Sequence, residues 1–386
     1  MKKYSIFFFF IMFLIGTDSF LISPLLPSLA RDFHTATSLS GWMTASYMIG
    51  FALFTLLAGP LSDSRDRKQV MLMGLSIFAL ATFLCAFALN FPMMIAFRFL
   101  AGVAASFVTP QVWASVARVA QDPAERMKLM GIVMAGLAGA QVLGVPIGSV
   151  LAMQSWHIPF ITVGIVTVIL ILVLVKFLPS LAPDPTAPKQ SIHEIYRGVF
   201  KNHAALRFTL AFGLFFTGAS AVFSFIGTWY ETDFHLNVGL VGFALLFSGL
   251  AQFLGGLFGH KLTDKWGHKK SLAIGFVVWP ILMLLLPFAQ NVVWATVIMA
   301  LSTSFLGMLI PVMVMNLQNT APEARGTMSS LSNFAMYTGQ AIGGAMAGLL
   351  FANLPGFFGV AGFALIFYLI SAGVNAWAGF WKKKEV

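Results

Sequence analysis

The sequence predicts an all-α membrane protein of twelve transmembrane helices in two pseudo-symmetric six-helix bundles, with both termini in the cytoplasm. Its composition indicates a membrane location, because 59% of the 386 residues are hydrophobic and only 9% are charged, whereas about a quarter of the residues in a soluble domain are charged. A basic stretch that begins at Asp63 also recurs at Asp264, 201 positions further along the chain. A repeat of that length indicates two related halves.

The repeat continues outside the two basic stretches at the same spacing. The matching pairs are Asp32 and Asp233, Phe33 and Phe234, His34 and His235, Gly41 and Gly242, and Gly74 and Gly275. One half of the chain is therefore interpreted as a diverged duplicate of the other.

Twelve apolar runs follow one another along the chain, and each is long enough to cross the hydrocarbon core of a bilayer. They are predicted at 5–27, 41–60, 70–89, 93–115, 128–152, 158–178, 205–228, 239–259, 271–288, 292–317, 327–351 and 356–380. The first six form a predicted N-terminal bundle over 1–178, and the last six form a predicted C-terminal bundle over 205–386. The segment 179–204 is predicted to be a cytoplasmic linker, since several prolines prevent a continuous helix at its start.

Basic residues give the predicted orientation, because short loops rich in lysine and arginine stay in the cytoplasm. All of the 23 basic residues except Arg31 and Arg98 lie in or beside alternate loops or in the two tails. Both termini are therefore predicted to be cytoplasmic. The net charge of +10 is interpreted as topology and contact with anionic lipids rather than as nucleic-acid binding.

The first apolar run could instead be a cleaved signal peptide, since Lys2 and Lys3 precede it. The run is longer than a typical signal core and contains Asp18, and its removal would leave eleven spans, so we favour a membrane helix. The single cysteine, Cys85, lies in an apolar run, which excludes a disulfide framework and predicts a packing role.

The first basic loop resembles a loop of a known family. The stretch 59–68, GPLSDSRDRK, resembles the loop between helices 2 and 3 of the major facilitator superfamily, G-x-x-x-D-R-x-G-R-[RK]. Ser64 replaces the usual basic residue and Asp66 replaces the usual glycine, whereas the second copy keeps the glycine as Gly267. The stretch 98–105, RFLAGVAA, resembles the helix 4 motif of proton-coupled members. Together with the twelve spans and the repeat, the resemblance covers essentially the whole chain and implies the major facilitator fold.

The same resemblance implies that the two basic loops are conformational gates that do not touch the substrate. The residues concerned are Gly59, Asp63, Arg65, Arg67, Lys68, Asp264, Gly267, His268 and Lys269. We expect Asp63 and Asp264 to stabilise one cytoplasm-facing arrangement through helix ends and neighbouring basic side chains.

Two further stretches resemble bacterial efflux permeases of the arabinose-efflux and purine-efflux type, within the twelve-helix drug:proton antiporter group. Residues 16–27, GTDSFLISPLLP, resemble their helix 1 pattern, G-T-x-E-F-x-x-x-G-L-L-P, and Asp18 supplies an acid one position before the usual one. Residues 144–149, GVPIGS, resemble their helix 5 motif, although Val145 separates the glycine from the proline. This resemblance implies a location in the bacterial plasma (inner) membrane.

Asp18 is the only one of the 13 acidic residues that falls well inside a predicted span, and Arg98 is the only such basic residue. A charge near the bilayer centre costs about 2.5–3.5 kcal/mol on insertion scales, so it must be paired, hydrated or protonated. One interpretation is a static ion pair that only stabilises the fold. The interpretation we favour is a proton-accepting carboxylate at Asp18 whose protonation is tuned by Arg98 and by the substrate.

Polar residues inside the spans are candidates for a substrate cavity, namely Gln141, Gln340, Asn333 and Tyr337. The two glutamine amides can hydrogen-bond a substrate or each other, or they can simply join helices. A second set is predicted to form close-packing helix faces, with a bend at the proline. This set consists of Gly144, Pro146, Gly148 and Gly343.

The sequence therefore predicts a proton-coupled exporter of small amphipathic or apolar compounds, of the multidrug type, that works by alternating access. Export of a sugar, nucleoside or purine is the alternative within transport, and a non-transporting membrane sensor is the alternative of another class. The predicted partners are a small-molecule substrate, protons and the lipid bilayer, and the protein is expected to be a monomer. No enzymatic activity, cofactor or metal site is predicted, because nucleotide-binding, zinc-protease and esterase motifs are missing and the seven histidines lie in loops or at span ends.

Overall fold

The structure, a computed structural model of the chain, describes residues 2–63, 65–120, 122–181, 202–321 and 325–378. Within these ranges the chain consists of helices and short connections, without a β-strand. Most of the predicted linker, from 182 to 201, lies outside the described residues, and so does the basic tail from 379 to 386.

Twelve helices among the described residues are long and apolar enough to cross a membrane, which confirms the predicted number. We number them α1 to α12 in chain order. They are Lys2–Asp32 (α1), Trp42–Asp63 (α2), Arg67–Ala86 (α3), Phe91–Val119 (α4), Pro123–Gly139 with its continuation through Ala140–Gly144 and Val145–Ala152 (α5), His157–Phe177 (α6), His203–Phe234 (α7), Val238–Trp266 (α8), His268–Leu285 (α9), Val292–Gln318 (α10), Arg325–Asn353 (α11) and Phe358–Trp377 (α12). A single helical turn, Thr37–Ser40, precedes α2, and a 3₁₀ turn, Leu286–Phe288, follows α9.

The repeat is visible in how the helices begin and end. Asn90 and Asn291 cap α4 and α10, and each side chain accepts a hydrogen bond of 3.0 Å from the backbone N–H three residues later. His34 and His235 follow the ends of α1 and α7, and both have a left-handed backbone, with φ of 49° and 55°. Because both pairs are separated by the spacing found in the sequence, the two halves share local backbone detail as well as helix order.

The first six helices meet the last six mainly through α1 with α7, α2 with α11, and α5 with α8, and α1 also touches α8. Glycine makes one of these approaches possible, since a Cβ atom on Gly41 would lie 2.1 Å from the backbone oxygen of Gly344. Ser23 of α1 donates a hydrogen bond of 2.6 Å to the backbone oxygen of Phe223 in α7. The two groups of six helices therefore meet along a shared surface, and the division of the chain into bundles at 178 and 205 stays a prediction.

Candidate functional site

An ion pair buried between α1 and α4 forms the centre of the candidate site. Arg98 Nη1 donates a hydrogen bond of 2.7 Å to Asp18 Oδ2, and the exposed fractions of the two side chains are 0% and 1%. The structure therefore brings together the two charged residues that the sequence places inside spans. Such a pair neutralises its own charge, which is the condition for keeping both groups away from water.

α2 forms a third side of this site. The Tyr47 ring lies under the Arg98 guanidinium, 4.6 Å from its carbon atom to the ring centroid. α2 and α4 approach closely here, because a Cβ atom on Gly102 would lie only 1.9 Å from the Tyr47 backbone oxygen. Tyr47 cannot be recognised from the sequence, since one tyrosine in an apolar run carries no signal about which neighbouring helix it meets.

Several polar atoms of the site lack a hydrogen-bond partner within the described part of the chain. They are Asp18 Oδ1, Arg98 Nη2, Tyr47 Oη and Thr82 Oγ1, the last on α3 beside the Asp18 carboxylate. Buried polar groups are normally paired, so unpaired ones mark a place where a proton, water or ligand can be bound or where strain is stored. The ion pair is thus complete in charge and incomplete in hydrogen bonding.

The second half of the chain has no such pair at the equivalent positions. At the repeat spacing of 201, Ala219 corresponds to Asp18 and Met299 corresponds to Arg98. Ala219 is 3% exposed and Met299 is 1% exposed, and both belong to the hydrophobic core. The same place in the fold is therefore filled by apolar packing in one half and by an ion pair in the other.

The four cavity candidates lie at different helix contacts. Gln141 lies in the π-helical turn of α5 and packs against α8, where a Cβ atom on Gly249 would be 3.0 Å from the Gln141 Cβ atom. The backbone oxygen of Gln340 in α11 accepts a hydrogen bond of 2.9 Å from Ser220 Oγ in α7. The described residues show no hydrogen bond between the two amides. Asn333 is half-buried in α11.

Tyr337, the fourth candidate, stacks on Phe51 of α2. The two ring centroids are 3.7 Å apart and the ring planes are 24° from parallel. This contact joins α2 of the first half to α11 of the second, one helical turn along α2 from Tyr47. Tyr337 is therefore the cavity candidate that the structure places nearest to the ion pair's own helix contacts.

The predicted close-packing residues lie where helices touch. A Cβ atom on Gly144 would be 2.1 Å from Thr17 Oγ1, and one on Gly148 would be 2.5 Å from Leu21 Cδ1, both in α1. A Cβ atom on Gly343 would be 2.2 Å from the Thr217 backbone oxygen in α7. Pro146 is the second residue of the last segment of α5, which follows the π-helical turn directly, and π turns inside helices are frequent at functional sites.

The first basic loop holds the beginning of the linker. Asp66 caps α3 through the Lys68 N–H, and it also accepts hydrogen bonds from Ser180 Oγ at 2.5 Å and the Leu181 N–H at 2.9 Å. Lys68 Nζ donates a hydrogen bond of 2.9 Å to the Val175 backbone oxygen at the end of α6. Asp66, which departs from the family pattern, thus attaches α6 and the linker to this loop.

Other gate residues are described in part. Arg65 precedes the α3 cap and Arg67 opens α3. In the second loop Gly267 has a positive φ of 80° and caps α9, while His268 and Lys269 are exposed in its first turn. The side chains of Asp63 and Asp264, and the surroundings of Gly59, lie outside the described residues.

Charged residues also meet where α1 and α7 end. Arg31 Nη1 forms an ion pair with Glu231 Oε1 across the two halves, and its other terminal nitrogen donates to Ser28 Oγ at 3.3 Å. The Arg31 side chain is 65% exposed and that of Glu231 is 18% exposed. The predicted topology places this pair on the outer face, where it joins the halves by side chains that remain accessible to solvent.

Burial alone would raise the pKa of the Asp66 carboxyl. Hydrogen bonds from Ser180 and from the Leu181 and Lys68 N–H groups, together with the Lys68 charge, outweigh it and hold this pKa below its usual range. Asp66 is therefore ionised, and its contacts are intact, throughout the neutral pH range.

Comparisons with known proteins agree with this architecture. A family model described as Major Facilitator Superfamily matches residues 8–232 and 208–385. A Bacillus subtilis (strain 168) protein named uncharacterized MFS-type transporter YceJ is 44% identical to this chain over 364 residues, which cover 94% of this chain and 93% of that protein. The quinolone resistance protein NorA of Staphylococcus aureus (strain MRSA252) is 25% identical to this chain over 362 residues, which cover 91% of this chain and 90% of that protein. Among solved structures, a D-xylose-proton symporter shares the fold with a TM-score of 0.78 at 16% identity, over 95% of this chain and 96% of that one.

Proposed function

Because the chain belongs to the major facilitator superfamily, we propose that it is a proton-coupled transporter that exports small amphipathic or apolar compounds through a bacterial plasma membrane. Members of this family are membrane transporters and not enzymes. The proposal adds to that membership the coupling ion, the direction of transport, the class of substrate and a monomeric working state.

The ion pair between Asp18 and Arg98 is the observation that carries the proposal. Replacing a buried ion pair by apolar residues of similar volume is often neutral or stabilising, and Ala219 and Met299 fill the equivalent buried positions in the second half. The fold itself therefore has no need of charges at this place. A buried carboxylate that can take up a proton supplies a reason for keeping them.

Protonation of Asp18 changes the charge balance of the site. In the ionised pair the two charges cancel, and both side chains can stay dry. When an Asp18 oxygen takes up a proton, Arg98 remains as an uncompensated buried cation, which is strongly unfavourable unless the helices rearrange around it. Arg98 in turn opposes protonation while it stays close to Asp18. Each protonation state thus favours a different arrangement of α1, α2 and α4.

Coupling to a substrate follows from this difference. A ligand shifts a conformational equilibrium only by its differential affinity for the two states. A proton that prefers one arrangement and a substrate that prefers the other can therefore be exchanged across the membrane as the two groups of helices alternate. Because Asp18 and Arg98 are the buried charges of this site and cancel each other, an amphipathic or apolar compound fits the proposal better than a highly charged one.

The direction and substrate class rest on the relatives. NorA is named for quinolone resistance, and another Bacillus subtilis (strain 168) relative, 27% identical over 387 residues, is named multidrug resistance protein 2. The likeness to the sugar symporter supports the fold and not its substrate. Export of a sugar, a nucleoside or a purine remains the alternative, and it predicts accumulation changes for those compounds instead of for lipophilic dyes.

The test is transport by the purified full-length chain in proteoliposomes with an imposed pH gradient. A panel of lipophilic dyes, purines and sugars is offered, and we expect uphill movement of one or more dyes. Asp18→Asn should reduce gradient-driven transport to the level of protein-free vesicles while downhill exchange of the same dye continues. Asp122→Asn is the matched control, because the exposed Asp122 carboxylate caps α5 and asparagine caps a helix equally well. Uphill transport by Asp18→Asn at the normal rate would overturn the coupling role.

The gate role of the basic loops belongs to the same proposal and rests on the family resemblance. Asp63 lies at the end of α2, where a carboxylate can interact with neighbouring helix ends and basic side chains. Asp63→Asn is expected to slow turnover and to leave dye binding in detergent nearly unchanged. Equal losses of binding and turnover would contradict a gate that does not touch the substrate.

A further inference from the structure

Tyr47 contacts the ion pair, but the proposed transport cycle assigns it no role. Its side chain is 1% exposed, its ring lies against the Arg98 guanidinium at 4.6 Å, and its hydroxyl has no hydrogen-bond partner among the described residues. A cation over a desolvated aromatic ring is attracted by the negative face of that ring. Arg98 is therefore held by the Asp18 carboxylate and by the Tyr47 ring. It also donates hydrogen bonds of 3.4 Å to the backbone oxygens of Met43 and Asp18.

The backbone around Tyr47 leaves little room for α2 to move apart from α4. A Cβ atom on Gly102 would lie 1.9 Å from the Tyr47 oxygen, and one on Gly50 would lie 2.3 Å from the Phe99 oxygen. The two helices thus touch backbone to backbone at Tyr47 and again three residues later at Gly50. Any displacement of Arg98 on α4 consequently reaches the Tyr47 side chain at close range.

One turn further along α2, Phe51 makes the contact with the other half of the protein. Residues four apart lie on the same helix face, so Tyr47 and Phe51 share a face of α2. Phe51 is 1% exposed and stacks on Tyr337 of α11 with ring centroids 3.7 Å apart. Asp18, Arg98 and Tyr47 are therefore in contact, and Phe51 lies one turn along the same face of α2, where it stacks on Tyr337. This series leads from the ion pair to the surface between the halves.

The second half lacks this series. Ser248 stands at the position equivalent to Tyr47, and Gln252 stands at the position equivalent to Phe51. Thr303, equivalent to Gly102, donates a hydrogen bond of 2.8 Å to the Ser248 backbone oxygen. The corresponding helices α8 and α10 are thus joined directly, without an aromatic ring. The ring occurs only in the half that has the ion pair.

We propose that Tyr47 is a positioning residue that holds Arg98 against Asp18 and transmits the protonation of Asp18 to the α2–α11 contact at Phe51 and Tyr337. This inference rests on the proposed function. When Asp18 takes up a proton, Arg98 loses its main charge partner and keeps the Tyr47 ring and two hydrogen bonds of 3.4 Å to backbone oxygens. The guanidinium moves toward the ring, the shared face of α2 shifts, and the stack of Phe51 on Tyr337 separates.

The titratable and charged groups that face this site come from five helices. They are Asp18 of α1, Tyr47 of α2, Cys85 of α3, Arg98 of α4 and Tyr337 of α11. The proposal assigns the protonation change to the Asp18 carboxyl, because thiols and phenols ordinarily titrate at higher pH and guanidinium groups stay charged.

Two measurements on the purified full-length protein test the inference without any substrate. Infrared titration follows the carbonyl stretch of a protonated buried carboxyl, and Asp18→Asn identifies the band by its loss. Spin labels follow the separation of the halves in a Cys85→Ala background, with Arg118→Cys at the end of α4 and Lys265→Cys near the end of α8 as exposed attachment sites. In the otherwise unchanged protein we expect the label distance to change over the same pH interval as the infrared band.

Three variants separate transmission from simple packing. Tyr47→Leu should keep the infrared titration and reduce the pH-dependent distance change to about a tenth of its normal extent, because the two states are no longer linked to the halves. Tyr47→Phe retains the ring and should restore the change. Tyr368→Leu is the matched control. Tyr368 is equally buried and its hydroxyl has no partner among the described residues, but it stacks on Trp279 in the second half with ring centroids 4.2 Å apart. This variant should lower thermal stability and leave the pH-dependent distance change intact.

The outcomes distinguish this inference from the proposed function. A distance change in Tyr47→Leu that still follows the titration would overturn the role of Tyr47 and leave proton coupling at Asp18 standing. An unchanged label distance in the parent protein across a normal Asp18 titration would also overturn the transmission. An infrared band that persists in Asp18→Asn would instead overturn the proposed coupling site itself.

Discussion

Asn90 and Asn291, which are 201 positions apart, cap their helices in the same way. Each side chain accepts a hydrogen bond of 3.0 Å from the backbone N–H three residues later. The shared cap fixes the register between α4 and α10. In that register Arg98 corresponds to Met299, just as Pro110 corresponds to Pro311 inside the same two helices. The two halves therefore provide an internal comparison of one position with and without a charge.

The first prediction concerns replacing the ion pair by the apolar residues that stand at the equivalent positions in the second half. Asp18→Ala combined with Arg98→Met places the residues of positions 219 and 299 at the ion pair. We expect the double variant to be as stable as the parent protein or more stable, because burying an ion pair rarely gains free energy over apolar packing. Arg98→Met alone should cost about 3–5 kcal/mol, since it leaves a buried carboxylate unpaired.

Thermal unfolding in detergent measures the stability of these variants, and proteoliposome transport measures their function. We expect the double variant to fold and to lack uphill transport. A double variant that pumps at the normal rate would show that the ion pair is dispensable for coupling. A double variant clearly less stable than the parent protein would show that the pair is mainly structural.

The number of spans and their order could be predicted because length and hydrophobicity are local properties of each stretch. Their ends were less accurate. α1 extends over Lys2–Asp32 against the predicted 5–27, because a helix continues past the hydrocarbon core where hydropathy no longer marks it. Asp18 and Arg98 could also be found from sequence, since a charge inside an apolar run is costly and therefore conspicuous.

The contacts of the site could not be found in the same way. Tyr47 and Phe51 lie in an apolar run, and the sequence does not indicate that Tyr47 meets Arg98 of α4 or that Phe51 meets Tyr337 of α11. Asp66 was recognised only as a departure from the family's glycine, and its partners Ser180 and Leu181 are more than a hundred positions away. Long-range packing decides both cases, and no local pattern encodes it.

The second prediction concerns orientation. All basic residues but two lie on one predicted side, so a fluorescent reporter fused after Val386 should be active in the cytoplasm. A periplasm-dependent enzyme fused beside Asn353, at the end of α11, should be active outside. The reverse pairing of reporters serves as the control and should be silent at both sites. Cytoplasmic activity at Asn353 would contradict the predicted topology.

The third prediction concerns the ion pair between Arg31 and Glu231, which joins α1 to α7. Removing either charge should change the free energy of unfolding by less than about 1 kcal/mol, because exposed pairs contribute little. The pair matters instead for the cycle, since the two halves must part at this end when the site opens outward. Arg31→Cys with Glu231→Cys, in a Cys85→Ala background and joined by a short bifunctional thiol reagent, should therefore stop transport.

Cleavage of a reducible version of the same cross-linker should restore the transport rate. Each single-cysteine variant treated with the reagent is the control and should retain its activity. Normal transport by the fully cross-linked protein would mean that α1 and α7 stay together at this end throughout the cycle, and the outer opening would then have to form elsewhere.

The last prediction concerns Asp66, which holds the start of the linker through Ser180 and the Leu181 N–H. Asp66→Gly, which introduces the residue usual in the family, removes the α3 cap and both linker contacts. Because glycine at an N-cap costs only about a few tenths of a kcal/mol, most of the destabilisation should come from the lost linker contacts. The pKa of Asp66 is lowered, so its contribution to stability is complete above the usual aspartate value of 3.8 and disappears as the pH falls through the lower folded-state value. The melting temperatures of the parent protein and Asp66→Gly should therefore differ most at neutral pH and move closer together as the pH falls below 3.8. Asp66→Asn keeps the cap and isolates the effect of the charge, so its melting temperature should lie between those of the other two proteins at pH 7.

Since Asp66 remains ionised across the range in which transport is measured, neither variant should move the pH profile of transport. A shifted pH profile in Asp66→Asn would place a coupling group in this loop instead of at Asp18.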